Sequence, residues 1–368
     1  MRPDVKPTRK RTTRRAARRA TTAALRRAVG LGVVAVGGLG LLPGCGDDEA
    51  APEGSGTEGS GAAASVTSTS ATGGGGGEDS GATTTTTTSS TGAGGGATGG
   101  GRPTVFGGSR PATLSVPDDY DDATPAPLLV SLHGYTGSGA LHEAYFQLRG
   151  PALDRGVLFV SPDGTTDSLT NQFWNANAAC CDFFQTGVDD VGYLVGLIDE
   201  IRAAYAVDPK RIFFVGHSNG HFMGYEMACQ RADLVAAVAG LAGGMLAQAA
   251  GCTPSEPVHH LHVHGDADTV VPYNGGVLGG GAATIASAEA ALGFWAGQAN
   301  CDAVATPGTA IDIVGALPGD ETAVSTHENC DAGGSAELWR IGGGSHTPAF
   351  NATWGDRILD YLLAHPKP

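Results

Sequence analysis

The strongest constraint on the fold lies in five residues. Gly216-His217-Ser218-Asn219-Gly220 joins a continuous apolar run, Ile212-Phe213-Phe214-Val215, to a helical pattern from Phe222 to Cys229. A Gly-x-Ser-x-Gly at such a junction predicts a sharp strand-to-helix turn. The serine occupies the strained tip, and the glycines leave room where side chains would collide. The helix start then aims amide groups and a partial positive charge at whatever reacts there. Ser218 is therefore a candidate nucleophile, provided that the chain supplies a base and an acid.

Around this junction, residues 104–368 alternate strand-like and helix-like segments. Leu128–Leu132, Val157–Val160, Ile212–Val215, Leu234–Leu241, Leu261–His264 and Leu338–Ile341 are short apolar runs of strand length. Val188–Tyr205 carries Val191, Leu194, Val195, Ile198, Ile201 and Tyr205 at helical spacing. Ala282–Ala299 is an Ala-rich helix pattern, and Trp354–Ala364 is a closing helix. Continuous rather than alternating apolar strands predict a mostly parallel central sheet with helices on both faces, an α/β class domain.

The partners of Ser218 come in a definite chain order. His264-Gly265-Asp266-Ala267-Asp268 follows one strand, and Gly342-Gly343-Gly344-Ser345-His346 follows the last. Serine, then acid, then histidine is the order of the α/β-hydrolase arrangement. Asp268 is the better acid because it lies past the strand end, before Val271-Pro272. Asp266 is the rival, with a turn residue as its alternative role. His346 is the candidate base, since His365 lies in the terminal tail. In this reading His346 takes the Ser218 proton and Asp268 holds the imidazole tautomer. The oxyanion donors are the amides of Asn219 and of Tyr135, which ends the segment Leu132-His133-Gly134-Tyr135.

These motifs resemble polyhydroxybutyrate depolymerase-like esterases and the feruloyl and acetylxylan esterases of carbohydrate esterase family 1. The residues that carry the likeness are Leu132-His133-Gly134, Asp163-Gly164, Phe173-Trp174-Asn175-Ala176, Cys180-Cys181, Val188-Asp189-Asp190-Val191, the serine pentapeptide, His264-Gly265 with Asp268 and Val271-Pro272-Tyr273, and Gly343-Gly344 before His346. They span nearly all of residues 110–365. The resemblance implies a secreted serine esterase without metal or other cofactor, and it makes His133, Trp174 and His217 candidate substrate-binding residues. Three positions depart from the family pattern: Thr347-Pro348 after the histidine, Ser345 before it, and His221 after Gly220. All lie at the pocket and bear on the choice of substrate.

The N-terminal part reads differently. Residues 1–44 hold 11 Lys/Arg and one acid, whereas the other 324 residues carry a formal charge of −25. An acidic body argues against nucleic acid, which needs a basic stripe. Basic residues 1–27 lead into the 15-residue apolar segment Ala28–Leu42 and then Leu42-Pro43-Gly44-Cys45. The segment has the length of a signal-peptide core and is short of the ~20 residues that span a membrane. Leu42–Cys45 resembles a bacterial lipobox, which makes residues 1–44 a signal peptide and Cys45 a lipidation site. An alternative is an ordinary secretory signal with an incidental cysteine. Residues 45–103 are Gly/Ser/Thr-rich and are expected to be a disordered linker, with residues 104–368 expected as the catalytic domain.

Six further cysteines, at 180, 181, 229, 252, 301 and 330, predict disulfides in an exported domain. Adjacent trans Cα atoms lie ~3.8 Å apart, below the usual disulfide range. Of the 15 pairings that six cysteines allow, the expectation is Cys301–Cys330, with Cys180 and Cys181 pairing to Cys229 and Cys252 in either order. His260, His262 and His264 share one strand face and are expected as core histidines rather than metal ligands. Phe183 and Phe184 are expected in the core, Trp174 as a candidate wall of an acyl pocket, and Asp189 and Asp190 as helix caps. The resulting expectation is a lipid-anchored enzyme of the cell envelope or exterior that cleaves carboxylic esters. Oligomeric or soluble esters are favoured over solid polyester. A serine peptidase of the same fold and a non-catalytic binding lipoprotein are the alternatives.

Overall fold

The computed structural model describes residues 101–249, 251–278 and 283–368. The expected signal peptide, the lipidation site expected at Cys45 and the expected linker up to residue 100 lie outside the described residues, as does Ala282. In chain order the strands are β1 (Val105–Phe106), β2 (Ala112–Ser115), β3 (Ala126–Leu132), β4 (Leu158–Val160), β5 (Thr165–Thr166), β6 (Gln172–Phe173) and β7 (Val207–His217). They continue as β8 (Ala237–Leu241), β9 (His259–Gly265), β10 (Gly276–Val277), β11 (Thr284–Ile285), β12 (Thr306–Pro307), β13 (Thr322–His327) and β14 (Ser335–Ile341). The helices are α1 (Gly139–Phe146), α2 (Arg149–Leu153), α3 (Asp190–Ala204), α4 (Asn219–Gln230), α5 (Ala288–Gln298) and α6 (Trp354–Ala364).

One ten-stranded sheet has the order β1-β2-β4-β3-β7-β8-β9-β14-β13-β12. Its centre, β4-β3-β7-β8-β9-β14, is parallel. The strands that extend it on either side are antiparallel. Every residue of β3, β8 and β9 is buried, which explains the near-continuous apolar runs of β3 and β8, whereas β9 carries four buried histidines.

Strand alternation divides the core in two. Leu128, Val130 and Leu132 of β3 and Ile212 and Phe214 of β7 pack with α3, α4 and Trp295 of α5. Leu129, Phe213 and Val215 point the other way, onto Phe146, Ala152 and the Trp354, Ile358, Leu359 and Leu362 stripe of α6. Helices thus cover both faces, as expected. The Ala-rich helix starts at Ala288, because the Ser287 side chain accepts the Ala290 N–H and caps it there.

Asp189 caps α3 by accepting from Gly192 N at 2.7 Å. Asp190 does more than cap. Its buried carboxylate accepts from Arg110 at 2.6 Å and from the Asn175 amide at 2.7 Å. It thereby ties the segment after β6 to α3 and to the chain before β2.

The disulfides correct one expectation. Cys301 bonds to Cys330, as foreseen. Cys229 bonds to Cys252, with Cα atoms 5.0 Å apart, which leaves Cys180 and Cys181 to bond to each other. Their Cα atoms are 3.0 Å apart across a cis peptide bond rather than at the trans spacing assumed from sequence.

Candidate active site

Ser218 closes β7 and opens α4. Its φ of 53° and ψ of −119° are those of a strained non-glycine residue, and its amide donates to the Leu241 carbonyl of β8 at 2.8 Å. The two glycines are needed for close approach. A Cβ on Gly216 would strike the Gly220 backbone, and one on Gly220 would strike the Leu132 and His133 carbonyls.

Asp268 lies in the loop after β9 and is buried. Its Oδ1 accepts from the amides of Val270 at 2.8 Å and Val271 at 2.9 Å. Its Oδ2 accepts from His346 Nδ1 at 2.8 Å and lies 3.3 Å from His264 Nε2. Burial alone would raise this carboxyl, but the bonds from His264 and His346 outweigh it and hold the group well below the usual carboxylate range.

Asp266 takes the turn role. It accepts from Arg340 Nη2 at 2.9 Å and from Gly343 N at 2.7 Å, and so latches the glycine turn that delivers His346. Ala267 N adds a bond to the Gly344 carbonyl. His365 is remote from this site, with Nδ1 on the Tyr361 carbonyl and its ring against His259.

Ser218 and His346 line one cavity of about 400 Å³ with Tyr135, Leu141, His142, Tyr145, His217 and Val270. No hydrogen bond joins the Ser218 hydroxyl to the His346 ring among the described residues; such bonds commonly tighten only when substrate arrives. The Asn219 and Tyr135 amides have no acceptor among the described residues.

The residues behind these two amides are locked. Asn219 exchanges two bonds with the Trp174 backbone, at 2.7 and 2.9 Å. The Trp174 indole donates to the His133 carbonyl at 3.1 Å. His133 Nε2 accepts from Gly164 N at 2.9 Å, so its Nδ1 carries the proton and donates to the Gly134 carbonyl at 2.8 Å. A hydroxyl at a helix start, an imidazole oriented by a carboxylate and two unengaged amides are the parts that acyl transfer requires.

One candidate substrate residue is corrected. Trp174 is fully buried, with its indole N–H spent on the protein, and it is absent from the cavity wall. His133 borders the cavity but is itself buried, with both ring nitrogens engaged. Trp174 thus braces the loops from outside the cavity, and His133 braces them from the cavity wall. His217 does line the cavity and donates from Nε2 to the His346 carbonyl at 3.0 Å. Burial and the nearby His346 push it down to about 4, so it is a neutral donor near pH 7.

The Phe pair is also corrected. Phe183 and Phe184 are 50% and 44% exposed, because Asp182 accepts the Thr186 and Gly187 amides and turns the loop outward. Phe183 meets the ring of the cavity residue Tyr135 edge-on at 5.2 Å. His221 is buried and fills the space over Gly240 and Gly243.

Sequence reasoning missed Leu141, His142 and Tyr145, which α1 brings to the cavity. The signal was present in Ser138, whose side chain accepts from Leu141 N and caps this helix, and in Gly139, whose amide donates to Asp163.

No family model matches the sequence. The chain is 30% identical over 260 residues to feruloyl esterase B of Piromyces equi, which covers 69% of this chain and 46% of that protein. It is 30% identical over 187 residues to a probable feruloyl esterase C of Aspergillus niger, covering 48% of this chain and 63% of that one. The match thus spans about half to two-thirds of these relatives. An acetyl xylan esterase structure from Aspergillus awamori superposes with a TM-score of 0.52 at 15% identity, over 69% of this chain and 94% of that one. By sequence the chain is similar to feruloyl esterases, and its fold is that of the α/β-hydrolase esterases.

Proposed function

We propose that the protein is an exported serine hydrolase that cleaves carboxylic esters through an acyl-enzyme. The observation that carries this reading is the meeting of Ser218, in its strained turn, with the Asp268-bound His346 at one cavity. His346 Nε2 takes the hydroxyl proton as Ser218 Oγ attacks the acyl carbon. The oxyanion then settles on the Asn219 and Tyr135 amides. Collapse breaks the ester bond, and His346 returns the proton to the departing alkoxide oxygen. Water repeats the sequence and releases the acid.

The wall presents Leu141, Val270 and Tyr135, with Phe183 against the Tyr135 ring, which favours an apolar or aromatic acyl group. The feruloyl esterase relatives point the same way. Three disulfides are compatible with an oxidising compartment. Export and lipid anchoring at Cys45 rest on the sequence pattern, and Cys45→Ala should release the protein from membranes.

The test is hydrolysis of p-nitrophenyl acetate, butyrate and octanoate and of methyl ferulate by the wild type and by Ser218→Ala. Loss of all activity in the variant supports the serine mechanism, and the preferred ester names the acyl class. Equal rates for the two folded proteins, or none on any ester, would sink the proposal.

A further inference from the structure

The acid of the proposed site is gripped from behind by a buried chain of side chains that the acyl-transfer scheme does not use. His260, His262 and His264 share one face of β9 and are each 1% exposed. On α4, the Tyr225 hydroxyl lies 2.6 Å from His262 Nδ1. His262 Nε2 lies 2.9 Å from His264 Nδ1. His264 Nε2 lies 2.9 Å from the Val271 carbonyl and 3.3 Å from Asp268 Oδ2, which also holds His346. The links run unbroken from the middle of α4 to the imidazole beside Ser218.

The two oxygens at the far end decide how the chain is wired. A carbonyl and a carboxylate only accept, so His264 Nε2 carries a hydrogen. With His264 neutral, its Nδ1 accepts from His262 Nε2, and His262 Nδ1 accepts from the Tyr225 hydroxyl. Burial favours this state at both other members: it holds His262 well below the ordinary histidine value and pushes the Tyr225 phenol up. Strand alternation alone does not impose such a chain. His260, on the same face, has neither ring nitrogen partnered.

Asp268 has about four acceptor sites on its two oxygens. Val270 and Val271 take two and His346 a third, while His264 Nε2, whose hydrogen bond goes to the Val271 carbonyl, stands 3.3 Å from Oδ2 beside the remaining site. We propose that His264 is a positioning residue for the reaction, held in one tautomer by His262 and Tyr225, and that it fixes the Asp268 carboxylate in the orientation that serves His346. This inference rests on the serine-esterase reading. His264 acts only through Asp268. The other titratable or charged groups around it are His221 on α4, Tyr273 edge-on at 5.5 Å, Asp266, and Arg340 beside it on β14, whose guanidinium pairs with Asp266.

The experiment uses the whole protein and p-nitrophenyl butyrate, with Tm recorded for each variant. His264→Leu should lower kcat at least about tenfold, the size expected for one hydrogen bond to a charged group, with KM within about twofold of wild type. With one donor fewer, Asp268 Oδ2 binds the His346 imidazolium more strongly. The acid limb of kcat/KM should therefore move to higher pH by about half a unit. His264→Gln retains an N–H for the carboxylate and should restore the limb and part of kcat. Tyr225→Phe removes only the terminal hydroxyl and should lower kcat about threefold at unchanged KM.

A His264→Leu protein within twofold of the wild-type kcat overturns the proposal. So do Leu and Gln variants that are equally slow with the limb unmoved, since packing alone would then explain the loss. If His264→Leu does not fold, His264→Gln and Tyr225→Phe decide, and wild-type kcat in Tyr225→Phe overturns the chain. Ser218→Ala is run alongside. Activity in that variant removes the esterase reading itself, whereas an inactive Ser218→Ala beside an unimpaired His264→Leu removes only the positioning role.

Discussion

Replacing Asp268 with Asn separates charge and geometry from packing, because the side chains are nearly isosteric. The carboxylate accepts from three N–H donors, the Val270 and Val271 amides on one oxygen and His346 on the other, and His264 Nε2 stands 3.3 Å from that second oxygen. An amide can match only one pair. If its oxygen stays on the backbone amides, its NH2 group meets two imidazole N–H groups. His346 can respond by moving its proton to Nε2, where it can no longer accept from Ser218. If the amide flips, two buried backbone donors lose their acceptor, at about 1–3 kcal/mol each. The first arrangement costs less, since an imidazole can change tautomer and a backbone amide cannot. His264 cannot follow without setting a lone pair against the Val271 carbonyl at 2.9 Å. The expected result is a kcat loss of about 10⁴-fold, or about 5.5 kcal/mol, from the wrong tautomer. Stability should fall by only about 2 kcal/mol. Asp266→Asn is the control, because Asp266 only latches the glycine turn, and its kcat should stay within about tenfold. The assay is steady-state hydrolysis of p-nitrophenyl butyrate with calorimetry on the same samples. A folded Asp268→Asn protein keeping more than a tenth of the wild-type kcat would refute the reasoning, as would a larger loss in Asp266→Asn.

Three further outcomes follow from the same structure. Burial pushes His142, His221, His260 and His262 well below their ordinary value and His217 and His259 down to about 4. Groups with depressed folded values stabilise the fold above about pH 6.5 and lose that contribution as the pH falls towards 4, because the unfolded chain takes up protons first. Tm should therefore drop steeply between pH 6.5 and 4, and a flat profile there would contradict the buried-neutral assignment. Removing the Cys229–Cys252 bond, which spans 23 residues, by changing both cysteines to Ala should cost about 3 kcal/mol, seen as a lower Tm under non-reducing conditions. Leu141→Ser with Val270→Ser should lower kcat/KM for the octanoate ester about tenfold while leaving the acetate ester within about twofold, if these side chains hold the acyl group.

The parts of the fold that were legible in the sequence are those whose signal is local. The run Ile212–Val215, the helix Trp354–Ala364 and the α3 stripe show their periods because one face or both faces are buried. The serine turn was legible because glycine is required on both sides of it. The antiparallel strand β13 was not, since Thr322–His327 is polar and only partly buried along most of its length. Trp174 and Phe183 were misplaced for one shared reason. An aromatic residue in a long loop has no period, and its destination is set by distant partners, the His133 carbonyl for Trp174 and the Asp182 turn for Phe183. The vicinal bond between Cys180 and Cys181 was missed because adjacent positions were given trans geometry. His264 was read as a strand-end residue because its bond to Asp268 depends on how the next loop turns back.

The central claim is the proposal that Ser218 is the nucleophile of ester cleavage. Its most direct test is active-site labelling with a fluorophosphonate, followed by intact-protein and peptide mass spectrometry and by residual ester hydrolysis on the same sample. The account predicts one adduct per chain, on the peptide that contains Ser218. Activity should be lost in proportion to labelling, and Ser218→Ala should take no label. Ester hydrolysis that persists in a fully labelled protein, or an adduct on any other residue that abolishes it, would contradict the account.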